Sequence, residues 1–300
     1  MRPNPGSFPY TDHNGTVWLA FTDFGSRSRE RAVMCVHGLT RNGRDFDRLA
    51  TAMAKDFRVI EVDIAGRGRS GWLADKTGYT FETYLRHMDA LFDYRGLELT
   101  DWVGTSMGGI IGMMLAAREE SPIRRLVLND VGPFIPKEAQ AGIASYVGTD
   151  PRFASLREAS EYLQKVHAGF GVPDEAGWSE LTLHSTTRQE DGTYALHYDP
   201  AIGDAFQEPF EDVDLWALWD RIECPTLVLR GANSELLMRE TADEMTRRGP
   251  RAELVEFEGC GHAPALMSED QIAMVHEWLK SFYEEEDGAM KDAEGRSGGS

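Results

Sequence analysis

The sequence predicts an α/β fold, in which a mostly parallel central sheet carries helices on both faces. Short apolar runs of strand type recur along residues 32–130 and again from residue 226 to 257, and segments with helical spacing lie between them. A helix is the usual connection between neighbouring parallel strands, so this alternation favours parallel pairing. A length of 300 residues is long for one compact domain, which indicates a core with an inserted subdomain.

Six apolar runs are the candidate strands of this sheet, and turn-type or polar residues separate them. They are, in chain order, residues 32–37, 57–63, 102–103, 125–130, 226–230 and 252–257. Helical spacing of apolar residues predicts one helix from about residue 80 to 91 and another from 110 to 117. Strands and helices therefore alternate as the fold class requires.

The strand-type apolar runs do not recur between residues 131 and 214, where the patterns become helical or irregular. Helices are predicted at 137–146, 156–168 and 178–183, an extended segment with a turn at 191–200, and a helix that returns the chain to the sheet at 213–222. We therefore expect a core of residues 1–131 and 215–283 with a mainly helical insertion at 132–214. Residues 284–300 are acidic and then rich in Gly and Ser, which predicts a disordered tail.

The segment from Gly104 to Gly108 reads G-x-S-x-G and stands between a predicted strand and a predicted helix. A serine in this context is typical of a nucleophile elbow, a tight turn that exposes the hydroxyl. Glycines flank the serine because a side chain there would collide with neighbouring backbone. Ser106 is therefore the candidate nucleophile.

Three further motifs accompany this elbow. His37 and Gly38 end the first predicted strand, a D-x-x-G-x-G-x-S segment begins at Asp63, and a G-x-G-H element ends at His262 after the last strand. With these four motifs in this order, the chain resembles an α/β-hydrolase of the esterase and lipase type from about residue 17 to 283. The resemblance implies a mostly parallel sheet with helices on both faces and identifies the 132–214 insertion as a helical cap over the nucleophile.

A serine hydroxyl needs a neighbouring base to become a nucleophile near neutral pH. His262 is the candidate base, because an imidazole can accept the serine proton and return it to the leaving group. The third member of the triad is open between two carboxylates. The usual aspartate position, after the strand at 226–230, holds Ser234, which leaves Glu235 as one alternative. We favour Asp130, at the end of the strand that follows the elbow.

The resemblance also implies an oxyanion hole formed by the backbone N–H groups of Leu39 and Met107. The substrate pocket is expected to include His37 and Arg41 from the loop after the first predicted strand. Cap aromatic residues could complete its apolar wall. The candidates among them are Phe134, Tyr146 and Trp178.

Two other patterns bear on cofactor and metal binding. The segment from Gly66 to Gly71 matches the G-x-G-x-x-G fingerprint of dinucleotide-binding folds, but no helix begins directly after it. We interpret it as a tight turn beside the elbow and expect no cofactor. Cys35, Cys224 and Cys260 match no disulfide or zinc spacing and are expected to be buried free thiols, and no metal site is predicted.

The charge balance restricts the kinds of partner. The 50 acidic and 31 basic residues give a formal charge of -19, which disfavours binding to nucleic acid or to an anionic membrane because both would repel the protein. The N-terminal residues lack the apolar region of a signal peptide, and no apolar stretch is long enough to span a bilayer. We expect a cytoplasmic monomer or homodimer whose partner is a small-molecule ester.

These observations together predict a cofactor-independent carboxylesterase that cleaves small to medium acyl esters through an acyl-serine intermediate. A lactonase is one alternative, and a C–C bond hydrolase that cleaves dienoic ring-fission products is another, since the resemblance extends to both. A non-catalytic ligand-binding protein of the same fold is less favoured, because Ser106 and His262 are both present.

Overall fold

The computed structural model describes residues 3–13, 15–27, 29 and 31–297. The strands are β1 Asn4–Asp12, β2 Gly15–Phe24, β3 Ala32–Val36, β4 Arg58–Asp63, β5 Thr100–Thr105, β6 Ile123–Asn129, β7 Phe134–Ile135, β8 Arg152–Phe153, β9 Thr186–Arg188, β10 Tyr194–Leu196, β11 Val213–Asp214, β12 Thr226–Gly231 and β13 Glu253–Phe257. The helices are α1 Asp47–Met53, α2 Phe81–Arg95, α3 Met107–Ala116, α4 Lys137–Ala144, α5 Leu156–Val166, α6 Glu175–Ser185, α7 Trp216–Trp219, α8 Arg239–Met245 and α9 Glu269–Ser297.

The central sheet has eight strands in the order β1-β2-β4-β3-β5-β6-β12-β13. The neighbours from β4 to β13 pair in parallel, whereas β1 and β2 form an antiparallel hairpin and β2 is antiparallel to β4. The predicted α/β fold with a mostly parallel sheet is therefore confirmed. All six predicted strands belong to this sheet, as β3, β4, β5, β6, β12 and β13.

Each buried strand contributes to two hydrophobic clusters, one on either face of the sheet. In β3, Val33 and Cys35 belong to one cluster, whereas Met34 and Val36 belong to the other. This alternation follows from the period of two along a strand. Helices α1 and α9 pack in the first cluster and α2 and α3 in the second, so helices cover both faces as predicted.

The hairpin β1–β2 is not among the predicted strands. Pro5 and Pro9 lie within β1, and proline lowers the strand signal because it cannot donate a backbone hydrogen bond. β1 tolerates both because it is the edge strand of the sheet, and of its residues only Phe8 is fully buried.

Between β6 and β12 the chain leaves the central sheet, and we call residues 132–214 the insert. It contains α4, α5, α6 and a small sheet of β8, β10 and β9. Its two ends are held together where β7 pairs with β11, Val213 opposite Ile135. The helix predicted at 213–222 is shorter than expected, because Val213 and Asp214 are in this ladder and Asp214 Oδ1 accepts a hydrogen bond from the Trp216 N–H, which starts α7.

The last helix extends into the C-terminal segment that was predicted to be a tail. Helix α9 continues to Ser297, and the helix-forming Glu, Ala, Met and Lys residues of this segment favour that conformation locally. Residues 298–300 lie outside the described part of the chain, and the disorder of 284–300 stays a prediction. Among the described residues, no helix is both long and apolar enough to cross a membrane.

Candidate active site

Ser106 lies in a sharp turn between β5 and α3. Its φ of 52° and ψ of -116° place a non-glycine residue in the sparsely populated left-handed half of backbone space. The flanking glycines make the turn sterically possible. A Cβ on Gly104 would come within 2.4 Å of the Gly108 carbonyl oxygen, and a Cβ on Gly108 within 2.0 Å of the Val36 carbonyl oxygen. The turn therefore holds the serine hydroxyl clear of the backbone at the carboxyl end of the sheet.

A chain of two hydrogen bonds connects Ser106 to a buried carboxylate. The His262 Nε2 atom lies 3.0 Å from Ser106 Oγ, and His262 Nδ1 lies 2.7 Å from Asp130 Oδ2. Asp130 is fully buried, whereas the His262 side chain is 22% exposed. The structure thus brings together the predicted nucleophile, the predicted base and the favoured acid in the geometry of a serine-hydrolase triad.

Both oxygens of Asp130 have fixed donors. Oδ1 accepts a hydrogen bond of 2.8 Å from the Gly231 N–H, and Oδ2 accepts one of 2.5 Å from the Ser234 hydroxyl. Both donors lie at the carboxyl end of β12 or just after it. This strand is the parallel neighbour of β6, and Asp130 is the residue that directly follows β6. Glu235 lines the cavity beside them, but no hydrogen bond or ion pair within the described residues joins it to His262.

Ser234 stands where the resemblance implies an aspartate, and its contacts to the acid were not predicted. The Ser234 hydroxyl donates to Asp130 and accepts from the N–H groups of Leu236 and Leu237, at 3.2 and 3.1 Å. The sequence did contain a signal for this contact. Ser234 is a small hydroxyl residue after one strand, and Asp130 is a carboxylate at the end of the neighbouring parallel strand.

The two residues implied for the oxyanion hole both contact one buried arginine, Arg67. Met107 is the first residue of α3, and the first N–H groups of a helix have no intrahelical partner. The Arg67 Nε donates to the Leu39 carbonyl oxygen at 2.8 Å, and its Nη2 lies 3.6 Å from Met107 Sδ. Nη1 donates to the Tyr84 hydroxyl at 2.8 Å. Arg67 was not among the predicted site residues, but its guanidinium contacts both Leu39 and Met107.

A cavity of about 1380 Å³ opens over Ser106 and His262. Its walls come from the loop after β3, from α4 and α5 of the insert, and from the loops after β12 and β13. Of the predicted pocket residues, Arg41 and Tyr146 line this cavity.

The other three predicted pocket residues do not line the cavity, which corrects the prediction. Phe134 is held in the β7–β11 ladder, and Trp178 packs from α6 against the hydrophobic core. His37 is fully buried, with Nδ1 2.7 Å from the Gly38 carbonyl oxygen and Nε2 accepting from the Ile64 N–H at 3.0 Å. Burial lowers the pKa of His37 to about 4, so its neutral ring is a structural link between two loops.

Cys260 precedes His262 by two residues and is the thiol closest to the site in sequence. Its Sγ accepts a hydrogen bond from Gln271, and burial raises the pKa of this thiol. A raised pKa opposes the thiolate that a cysteine nucleophile requires. All three cysteines are free, but Cys224 is only partly buried, which corrects its expected burial. The described residues contain no group of His, Cys, Asp and Glu side chains suited to hold a metal ion.

Comparisons with known proteins indicate a hydrolase family. A family model described as alpha/beta hydrolase fold matches residues 31–267. The chain is 42% identical over 270 residues to the 3-hydroxybutyrate-oligomer hydrolase of Cupriavidus necator, covering 87% of this chain and 92% of that protein. It is 27% identical over 238 residues to the 2-hydroxymuconate semialdehyde hydrolase of Pseudomonas putida, covering 73% and 75%.

A solved structure agrees with these sequence similarities. The crystal structure of an alpha/beta hydrolase from Novosphingobium aromaticivorans superposes with a TM-score of 0.83 at 35% identity, and the match covers 93% of this chain and 99% of that one. The similarity therefore extends over the insert as well as the central sheet.

Proposed function

The chain belongs to the α/β-hydrolase family, and from that premise we propose that it is a serine hydrolase of carboxylic esters. The observation that carries the proposal is the hydrogen-bonded series Asp130–His262–Ser106 at the wall of a large cavity. Ser106 is the nucleophile, His262 the general base and then acid, and Asp130 the group that orients the imidazole.

The reaction follows from the positions of these atoms. Ser106 Oγ attacks the ester carbonyl as its proton passes to His262 Nε2, and the N–H groups of Leu39 and Met107 stabilise the oxyanion. His262 returns the proton to the departing alkoxide, which leaves an acyl group on Ser106. Water then attacks the acyl-serine with His262 as base, releasing the acid and restoring the serine hydroxyl.

Short oligoesters of a hydroxy acid are the substrates that we propose within this class. The 42% identity to a 3-hydroxybutyrate-oligomer hydrolase supports this choice, since that identity extends over 87% of the chain. The size of the cavity supports it as well. A volume of about 1380 Å³ exceeds the roughly 300 to 1,000 Å³ of ordinary ligand pockets, so a chain of several acyl units can be accommodated.

A C–C bond hydrolase is the second candidate, favoured by the 27% identity to a 2-hydroxymuconate semialdehyde hydrolase. The two functions share the elbow serine and differ in the bond that is cleaved. Substrate turnover separates them, because a vinylogous 1,5-diketone contains no ester.

The experiment compares wild type, Ser106→Ala and Ser145→Ala, a second serine that lines the same cavity. We expect p-nitrophenyl butyrate hydrolysis and fluorophosphonate labelling in wild type and in Ser145→Ala, and loss of both in Ser106→Ala. Ester turnover that persists without Ser106 would exclude the acyl-serine mechanism. Cleavage of the diketone without ester turnover would establish the C–C hydrolase instead.

A further inference from the structure

Three side chains present hydrogen-bond donors to the cavity, and we call Arg41, Tyr146 and His167 the donor cluster. All three line the cavity above Ser106. The Tyr146 and His167 rings meet edge to face with centroids 6.2 Å apart, and His167 stacks on Phe170 at 4.4 Å. Arg41, Tyr146 and His167 also line one small neighbouring cavity together, which places the guanidinium close to both rings.

Several polar atoms of this cluster have no hydrogen-bond partner among the described residues. Arg41 donates hydrogen bonds from Nε and Nη2 to the Asp45 carboxylate, at 2.8 and 2.7 Å. Its Nη1 makes no hydrogen bond to any described residue. The Tyr146 hydroxyl and the His167 ring nitrogens likewise make no hydrogen bond to any described residue. His167 is only 6% exposed, but its ring nitrogens are not among the fully buried polar atoms that lack a partner. They are therefore accessible from the cavity, where a bound ligand can accept a hydrogen bond from the ring.

His167 is a donor in its neutral form. Burial is the main cause that holds its pKa well below the ordinary value, and the charges of Arg41 and His262 lower it further. A neutral imidazole still carries one N–H. Burial also raises the pKa of Tyr146 to about 12, which keeps the phenol protonated.

We propose that the donor cluster is a subsite that binds the carbonyl oxygen of a second ester unit, next to the one that is cleaved. The inference rests on the proposed hydrolysis of hydroxyacyl oligoesters and adds the side chains that would hold the second unit of such a substrate. A simple alkyl ester has only one carbonyl, which the oxyanion hole takes, and leaves the cluster unsatisfied. An oligoester repeats its carbonyl along the chain and supplies the missing acceptor.

Charge favours an uncharged carbonyl over a terminal carboxylate as the acceptor. Asp45 already neutralises Arg41 through a bidentate pair. The cavity lining carries three further carboxylates, Glu138, Asp150 and Glu235, against Lys165 as its other cation. A carboxylate ligand would be repelled by this excess of negative charge, whereas an ester carbonyl would not.

The test uses Tyr146→Phe and His167→Phe, which keep the rings and remove the polar atoms. Tyr194→Phe, in the same insert but outside the cavity lining, is the matched control. The substrates are the methyl ester of the linear 3-hydroxybutyrate trimer, the free trimer acid, and isopropyl 3-hydroxybutyrate, which lacks a second carbonyl. For each variant, the ratio of kcat/KM on a trimer to that on the isopropyl ester is measured.

We expect this ratio to fall about 10-fold in each of the two cluster variants, the effect of one lost hydrogen bond, and to stay at the wild-type value in Tyr194→Phe. Both trimers should respond alike. Equal losses on trimer and isopropyl ester, or no loss, would overturn the subsite. A loss confined to the free acid would show that the acceptor is a carboxylate. Absence of Ser106-dependent turnover on every ester would instead reject the proposed function itself.

Discussion

Asp130→Asn is the substitution that tests the triad most directly. In the folded protein Asp130 Oδ1 accepts from the Gly231 N–H, which an amide oxygen can also do. The amide NH₂ of the variant would then take the place of Oδ2, 2.7 Å from His262 Nδ1. In wild type the carboxylate accepts a hydrogen bond from the His262 Nδ1–H. In the variant the amide NH₂ donates a hydrogen bond to Nδ1 instead. The imidazole proton is then held on Nε2, the atom that must accept the proton of Ser106.

The magnitude follows from this reversal of the tautomer. The geometry is retained but the base is occupied, and the equivalent change in a serine protease lowers kcat by about 10,000-fold. We expect a fall of roughly 1,000-fold to 10,000-fold in kcat for p-nitrophenyl butyrate, with a much smaller change in KM. Glu235→Gln, which alters the neighbouring carboxylate of the cavity, should stay within about 3-fold of wild type.

Steady-state kinetics on the two variants and wild type, with circular dichroism to check folding, decides the matter. A large loss in Glu235→Gln beside a folded and nearly active Asp130→Asn would refute the assignment, because it would mean that the longer carboxylate orients His262. Comparable losses in both would refute the argument from the tautomer, since only one of the two carboxylates contacts the ring.

Three further outcomes follow from the structure. Arg67→Met removes the guanidinium contacts to Leu39 and Met107. We expect kcat to fall by about 10-fold or more with little change in KM, measured on the same ester. Gly108→Ala places a Cβ 2.0 Å from a carbonyl oxygen, and urea denaturation should show a loss of at least about 3 kcal/mol in unfolding free energy. Burial raises the pKa of Glu61 well above 4.5, so its ionisation destabilises the folded state increasingly as pH rises from that value. Glu61→Gln should therefore raise the melting temperature more at pH 8 than at pH 5.

The sheet could be predicted from sequence because its strands are buried on both faces. Such strands read as continuous apolar runs, and the motifs at their ends occur in a fixed order. The edge hairpin could not be predicted in this way. Its outer strand contains Pro5 and Pro9 and buries only Phe8, so its pairing with β2 leaves little trace in the hydrophobic pattern.

The pocket was predicted less well than the triad for a related reason. Loop motifs fix Ser106 and His262 at strand ends, where the sheet determines the position of the backbone. The direction of a side chain in the insert depends on how short helices and ladders pack, which periodicity does not encode. Phe134 and Trp178 are apolar and belong to the insert, but they pack away from the cavity. His167 belongs to no recognisable sequence motif, but it lines the cavity.

The position of the acid depends on the carboxyl ends of two neighbouring strands in the sheet. β6 and β12 are parallel neighbours, so their carboxyl ends lie side by side, about 4.8 Å apart across the ladder. Asp130 from one end and Ser234 from the other both reach the region of His262 Nδ1, since both His262 and Ser234 bond to the same Asp130 oxygen. A carboxylate on either strand end could therefore orient the imidazole, provided that the other end supplies a donor.

We therefore expect that the triad acid can be moved from the end of β6 to the loop after β12. In the double variant Asp130→Asn with Ser234→Asp, the new carboxylate can accept from His262 Nδ1 while the Leu236 and Leu237 N–H groups, which now bond the Ser234 hydroxyl, remain its donors. The amide introduced at position 130 then donates to it. We expect kcat to recover by about 10-fold or more over Asp130→Asn alone, since a correct tautomer is restored even if its alignment is imperfect. No recovery in a folded double variant would mean that the carboxylate must come from β6, because only that strand end directs it at the ring.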